Sequence, residues 1–462
     1  MLPSLFVVAA ALSAAPSVNI PFEKYRLDNG LEVILAEDHR APIVAVDLWV
    51  HVGSGDESPG RSGFAHLFEH MMFQGAEHIG EDVHFDVLRK LGATSVNGTT
   101  NSDRTNYYEV VPQNQLETAL WLESDRLGFL LPMLNEKSLA NQRDVVRNER
   151  RQRYDNVAYG KERFAVNAAL YPEGHPYRYL TIGKHEDVEG ASVDDVRAFW
   201  SARYVPSNAT LALVGDFDTK VAKALIEKWF GGLRKEPAPK LTVVPVPALK
   251  ADSRVDVADP FAKLTRVRFV WHGPKNNEDD DLDLGLLTSA LSAPGWGRLQ
   301  RALVVENPLC ESVFAYEAPA ALSGSVQIGA TLKPGTDLAV VEKILNEELN
   351  KAKNEGITQT EINRAQRRTE AAFVFELDEI MGKAERLQSW NFEVNDPGYS
   401  ATYLERLRSR TPATVKAAAK KWLDKPRVVV VTKPAAAAAP VPAAPAKAPV
   451  VAPVVAPKGG AK

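Results

Sequence analysis

Apolar and polar positions along this chain follow two rhythms, one of strands and one of helices. Leu31-Glu32-Val33-Ile34-Leu35 comes directly after the turn-forming Asp28-Asn29-Gly30 and reads as part of a hairpin. The nearly unbroken apolar run Ile43-Val44-Ala45-Val46-Asp47-Leu48-Trp49-Val50 reads as a buried strand. From Asp337 to Lys353 the apolar residues return every three or four positions, which predicts a helix. Strands and helices do not alternate strictly, so the expected fold class is α+β and not a doubly wound parallel sheet.

The same order of elements occurs twice. Val193-Asp194-Asp195-Val196-Arg197-Ala198-Phe199-Trp200 leads through Tyr204-Val205-Pro206 into the apolar run Thr210 to Val214. Pro412 to Ala419 leads through Trp422-Leu423 into Arg427-Val428-Val429-Val430-Val431. A second pair keeps the same offset. Leu134-Asn135-Glu136-Lys137 opens a helix running through Arg143 and Val146, and Ile357-Thr358-Gln359-Thr360-Glu361 opens another, with Thr358 and Glu361 at capping-box spacing. An ordered repeat at roughly 220 residues points to duplication. We therefore expect two homologous domains, each a mostly antiparallel β-sheet packed against α-helices. The first spans 20–233, a Pro-rich linker 234–250, and the second 251–433, with an Ala/Pro-rich, disordered tail over 434–462.

Composition narrows the function. The chain has 462 residues, more than one compact core usually holds. Hydrophobic residues at 45% and charged residues at 25% are globular values. The 55 basic and 59 acidic residues balance too closely to build a phosphate-binding footprint, so nucleic acid is not an expected partner. Residues 1–15 carry an apolar core, Leu5 to Leu12, followed by small residues, and read as a signal peptide for a periplasmic or secreted protein. That core is shorter than the ~20 residues a membrane span needs, so no transmembrane anchor is expected. Cys310 is the single cysteine, which leaves any metal site to His and carboxylate ligands.

Gly63-Phe64-Ala65-His66-Leu67-Phe68-Glu69-His70-Met71-Met72-Phe73 holds the candidate chemistry. On a helix, positions 66, 69 and 70 share one face, because i+3 and i+4 both return near the starting azimuth. Two neutral imidazoles at i and i+4 can share one Zn²⁺, and a non-ligating carboxylate beside them can take a proton from water. The pattern is H-x-x-E-H. A third protein ligand is needed downstream, and spacing alone leaves Glu123, Asp144 and Glu149 open.

These residues resemble the pitrilysin/insulinase family of zinc peptidases, which includes the mitochondrial processing peptidases. The likeness extends through Asn97-Gly98-Thr99-Thr100-Asn101-Ser102-Asp103-Arg104-Thr105-Asn106-Tyr107-Tyr108, Arg143 to Glu149, His175-Pro176-Tyr177 and Tyr204 to Ala209, over roughly residues 22–432. The resemblance implies a zinc metalloendopeptidase acting on peptides, with His66, His70 and Glu149 as ligands of one Zn²⁺ and Glu69 as the catalytic base. It also implies that Asn97, Gly98 and Thr99 form a substrate-pairing edge strand. The family usually has an acidic residue seven positions before the third ligand. Here it is Gln142, expected behind a ligand, where an amide can donate a hydrogen bond but adds no charge.

The second half departs from the family pattern. Active members hold the substrate carbonyl with an Arg and a Tyr that follow a glycine-containing turn. After Gly295-Trp296-Gly297, Val304 and Glu311 stand in those places, with Arg301 and Tyr316 the nearest residues of the right kind. Loss of such a donor costs about 10²–10³ in rate. The expectation is a catalytic subunit working with a homologous partner that lacks H-x-x-E-H and supplies the Arg/Tyr pair. The competing expectations are a non-catalytic scaffold that keeps the fold, or a zinc hydrolase for non-peptide substrates.

Overall fold

The computed structural model describes residues 18–81, 83–240 and 243–435. The expected leader, and the expected tail beyond Ala435, lie outside the described residues. The first half contributes β1 (Glu23–Arg26), β2 (Glu32–Glu37), β3 (Ile43–Val50), β4 (Thr94–Thr100), β5 (Thr105–Pro112) and β6 (Ala209–Gly215). Its helices are α1 (Phe64–Met71), α2 (Val83–Lys90), α3 (Leu116–Gly128), α4 (Glu136–Arg150), α5 (Gly160–Leu170), α6 (His185–Glu189), α7 (Val193–Arg203) and α8 (Thr219–Phe230). The second half contributes β7 (Ser253–Asp259), β8 (Arg266–Gly273), β9 (Cys310–Ala318), β10 (Gly324–Leu332) and β11 (Val428–Pro434). With these come α9 (Asp279–Ser292), α10 (Arg298–Gln300), α11 (Leu338–Asn354), α12 (Gln359–Glu376), α13 (Ile380–Val394), α14 (Ser400–Arg408) and α15 (Pro412–Leu423).

The sheets are ordered β1-β2-β6-β3-β5-β4 and β7-β11-β8-β10-β9. The β2–β6 and β7–β11 pairs are parallel and the rest antiparallel. The α+β class is thus as expected. Local signals act where the chain places them. Gly30 takes φ +97° in the turn between β1 and β2. Thr358 and Glu361 make both capping-box bonds at the start of α12, and Asp337 caps α11 by accepting from Ala339 N at 2.9 Å. Each repeated pair recurs as the same unit: α7 into β6 matches α15 into β11, and α4 matches α12. No helix or strand lies between Phe230 and Ser253 among the described residues, where the Pro-rich stretch falls. Pro434, expected to start the tail, instead ends β11 opposite Asp259.

Each half covers one face of its sheet with its own helices and the other with a helix of its neighbour. On β2, the two-residue period sends Val33 and Leu35 into the first core and Ile34 and Ala36 into the second. Helix α13 lies on that second face. There Gln388 Nε2 donates to the carbonyls of Asp47 (2.8 Å) and Thr210 (2.9 Å), and Asn106 Nδ2 donates to Glu385 Oε1 at 2.8 Å. Helix α5 makes the reciprocal contact. Val166 and Leu170 pack with Val270, Val428 and Val430 of the second sheet, while Glu162 pairs with Arg268 and accepts from Thr432 Oγ1 at 3.0 Å. These exchanged helices tie the halves together.

Gln388 is buried and bridges the halves through two carbonyls. Gln388→Ala is expected to destabilise the chain by about 1–3 kcal/mol, read as an earlier urea midpoint with unchanged slope; an unmoved midpoint would contradict this role.

Candidate metal centre

Helix α1 is short, and its start is held from outside. Glu57 Oε2 accepts from Gly63 N at 3.0 Å and its Oε1 from Ala65 N at 2.8 Å, satisfying donors that a helix N-terminus leaves open. Gly63 sits at φ +90°, and a Cβ there would stand 2.8 Å from Val188 Cγ2 and 2.9 Å from Ile182 O, so both conformation and space require glycine. Phe64, Leu67, Phe68 and Met71 anchor α1 in the first core. The opposite face presents His66, Glu69 and His70 to α4 and β4.

The His66 and His70 rings stand edge to face, with centroids 4.8 Å apart. Glu149, near the end of α4, places Oε2 at 3.6 Å from His66 Nε2 and 3.4 Å from His70 Nε2. Its other oxygen, Oε1, is held by Arg153 Nη1 at 2.7 Å, one turn further on. Gln142 Oε1 lies 3.2 Å from His70 Nδ1. The amide therefore faces the ring with its oxygen and accepts, where a donating role was expected. With Nδ1–H held by Gln142, Nε2 is the atom left to face Glu149, and on losing its proton it offers its lone pair there. His66 Nδ1 finds no partner among the described residues. Glu69 Oε2 accepts from Thr100 Oγ1 at 2.5 Å.

Electrostatics matches a cation site. Burial holds the His66 imidazole at about 4, so it is a neutral donor near pH 7. Burial works to lower His70, but the Glu149 hydrogen bond and the charges of Glu69 and Glu149 outweigh it and raise the ring. Burial works to raise Glu149, but the His70 bond and the positive charge nearby, Arg153 included, keep it low. Burial raises the Glu69 carboxyl against the pull of the Thr100 bond.

The donors fit zinc. A tetrahedral ion with bonds of about 2.0–2.2 Å sets its donors about 3.3–3.6 Å apart, the spacing of Glu149 Oε2 from both Nε2 atoms. His66, Glu69 and His70 each also place one donor within 4.8 Å of the others, so distance alone does not remove Glu69 from the ligand set. Its bond to Thr100 turns one oxygen toward β4. The other two acidic residues left open by spacing lie elsewhere. Glu123 is buried in α3 against Arg126, and Asp144 is exposed on α4 beside Arg147.

A cavity of about 420 Å³ opens over these groups. One wall is β4, paired on one side only, with Asn97, Gly98 and Thr99 lining the cavity. A Cβ on Gly98 would approach Glu69 Cγ to 3.2 Å and Phe73 Cε2 to 3.1 Å, so this glycine lets the strand reach the carboxylate. No residue of the second half lines this cavity among the described residues. Val304 packs against the second core, Glu311 and Arg301 are exposed, and Tyr316 bonds to Arg268 and Gln327. Sequence reasoning missed Thr100 and Arg153. The i+4 spacing from Glu149 to Arg153 was an available signal; Thr100 had none.

The H-x-x-E-H helix thus crosses a carboxylate-bearing helix beside an open-edged strand. The family description "Insulinase (Peptidase family M16)" matches residues 32–169, and "Peptidase M16 inactive domain" matches 190–369. The chain belongs to this pitrilysin/insulinase family. It is 27% identical to the zinc protease PqqE of Helicobacter pylori over 382 residues, 81% of this chain and 84% of that one. It is 24% identical to the uncharacterized zinc protease YmxG of Bacillus subtilis, over 79% and 86% of the two chains. The crystal structure of a protease from Helicobacter pylori superposes with TM-score 0.85 at 25% identity, covering 90% of this chain and all (100%) of that one. The first half of the periplasmic protease PqqL from Escherichia coli shares the fold, with TM-score 0.75 at 19% identity over 91% and 94%.

Gln142→Leu is expected to weaken zinc binding about 10–100-fold, measured by competition with a chromogenic chelator. Unchanged affinity would show that its contact with His70 does not support a ligand.

Proposed function

We propose that the chain is a zinc-dependent metalloendopeptidase acting on peptides or small unfolded proteins, with His66, His70 and Glu149 as zinc ligands and Glu69 as catalytic base. The observation that carries this reading is the approach of Glu149 Oε2 to both Nε2 atoms within 3.6 Å, beside Glu69 and under an open cavity. Bound zinc supplies Lewis acidity toward a peptide carbonyl and toward water. Glu69 takes a proton from that water and returns it to the leaving amine, while Thr100 holds one of its oxygens in place. His66 and His70 offer Nε2, and Arg153 keeps Glu149 from turning away. The free edge at Asn97, Gly98 and Thr99 accepts an extended peptide as an added strand.

The same reading assigns the substrate-holding Arg/Tyr pair to a homologous partner without H-x-x-E-H. Two observations support it: no second-half residue among the described ones lines the metal cavity, and this chain covers 48% of the full PqqL protease, whose fold it shares. The proposed location is periplasmic or secreted; PqqL of Escherichia coli is a periplasmic protease. No helix of the described residues is long and apolar enough to cross a membrane.

Glu69→Gln is expected to keep one zinc per chain and to lose about 10²–10⁴ in turnover of a quenched unstructured peptide; turnover close to wild type refutes the assigned base. His70→Ala is expected to lose the zinc, read by metal analysis. For the partner, the isolated zinc-loaded chain should turn over slowly, and robust activity without a second subunit would sink that part of the proposal.

A further inference from the structure

A second cavity of about 570 Å³ lies where the two halves meet, and its wall carries four arginines and no carboxylate. Arg153 and Arg163 come from the first half, and Arg266 and Arg268, two apart on β8 and therefore on one face, from the second. Tyr159 and Tyr316 supply aromatic walls. Arg153 also lines the metal cavity, so the two spaces adjoin.

The charges do not cancel. Arg153 is paired with Glu149 and Arg268 with Glu162. Arg163 and Arg266 have ring contacts but no ion pair among the described residues. The Arg266 guanidinium stacks 3.4 Å from the centroid of Tyr159, and its Nε donates to Thr331 Oγ1 at 3.0 Å. Four guanidiniums thus line the space, two of them in ion pairs, while Glu162 also acts on Arg266 and the Asp259 carboxylate is engaged behind the wall by Tyr159 N at 2.6 Å, so the lining itself stays basic. Arg266 is half-buried with no direct ion pair, Glu162 acting on it only at a distance, and a bound anion would give it one. Paired donors on a planar guanidinium match a carboxylate in particular.

We propose that this cavity is a specificity subsite for a peptide carboxylate, so that the chain selects acidic peptides carrying an Asp, a Glu or a free C-terminus a few residues from the bond lying over the metal centre. The inference rests on the peptidase reading above. An extended chain advances about 3.3 Å per residue, so a peptide added along β4 and passing Arg153 brings a nearby carboxylate into the arginine cavity.

The test uses the full-length, zinc-loaded chain carrying Glu69→Gln, which binds without cutting, and fluorescence anisotropy of labelled extended peptides. One pair of peptides differs only by Glu or Gln at a single position, scanned along the peptide; another differs only by a free or amidated C-terminus. At low salt, one carboxylate-bearing member is expected to bind about tenfold tighter than its neutral counterpart. The pair that shows the difference identifies a side chain or a chain end as the source. Arg266→Met, which keeps the aliphatic stem, and the exposed Arg163→Gln should each reduce the preference and leave binding of the neutral peptide unchanged. Equal binding within both pairs, or a preference that survives both substitutions, overturns the subsite alone. Binding of neither member of either pair overturns the assignment of β4 as the peptide-receiving edge, and the subsite with it.

Discussion

Three ionisable side chains on one face of a two-turn helix impose the central constraint on this molecule. Helix α1 must bury Phe64, Leu67, Phe68 and Met71 to exist, and that burial carries His66 and Glu69 under the surface with it and leaves His70 half-buried. Imidazoles and a carboxylate removed from water need partners. Helix α4 crosses α1 to supply Glu149 and Gln142, β4 supplies Thr100, and Arg153 supports Glu149. Nearly every polar contact at the site serves this requirement, and the resulting donor spacing is that of a zinc site.

The second half repeats the scaffold and drops the chemistry. A cavity of about 470 Å³ lies among α9, β9 and α12, as the metal cavity lies among α1, β4 and α4. Its α9 wall carries Gly285, Thr288, Ser289 and Ser292, with no imidazole or carboxylate. The retained half has a different task. Its sheet receives α5 and returns α13, and this exchange sets Arg266 and Arg268 beside the segment that carries Arg153. A change that loosened the exchange would move one wall of the arginine cavity relative to the metal centre.

What could be read from the sequence was what depends on short range. The H-x-x-E-H face follows from helical spacing, and the repeat from ordered elements, so α4 and α12, and α7-β6 and α15-β11, stand where patterning puts them. Gln142 falls beside His70 because a seven-residue interval keeps one helix face. The choice among Glu123, Asp144 and Glu149 was not legible, because it depends on how α4 crosses α1; family likeness, not spacing, selected Glu149. Thr100 faces Glu69 only once β4 and α1 pack. Arg163, Arg266 and Arg268 are brought together by the exchanged helices across about a hundred residues of chain, and no local pattern marks them as a group.

The most direct test of the central claim is a crystal structure of the zinc-loaded chain with anomalous data on both sides of the zinc edge. The account predicts a single anomalous peak between α1 and α4, bonded to Nε2 of His66, Nε2 of His70 and Oε2 of Glu149, with Glu69 unbonded and still held by Thr100. A peak coordinated by Glu69 in place of Glu149, or zinc bound elsewhere on the chain, would contradict it.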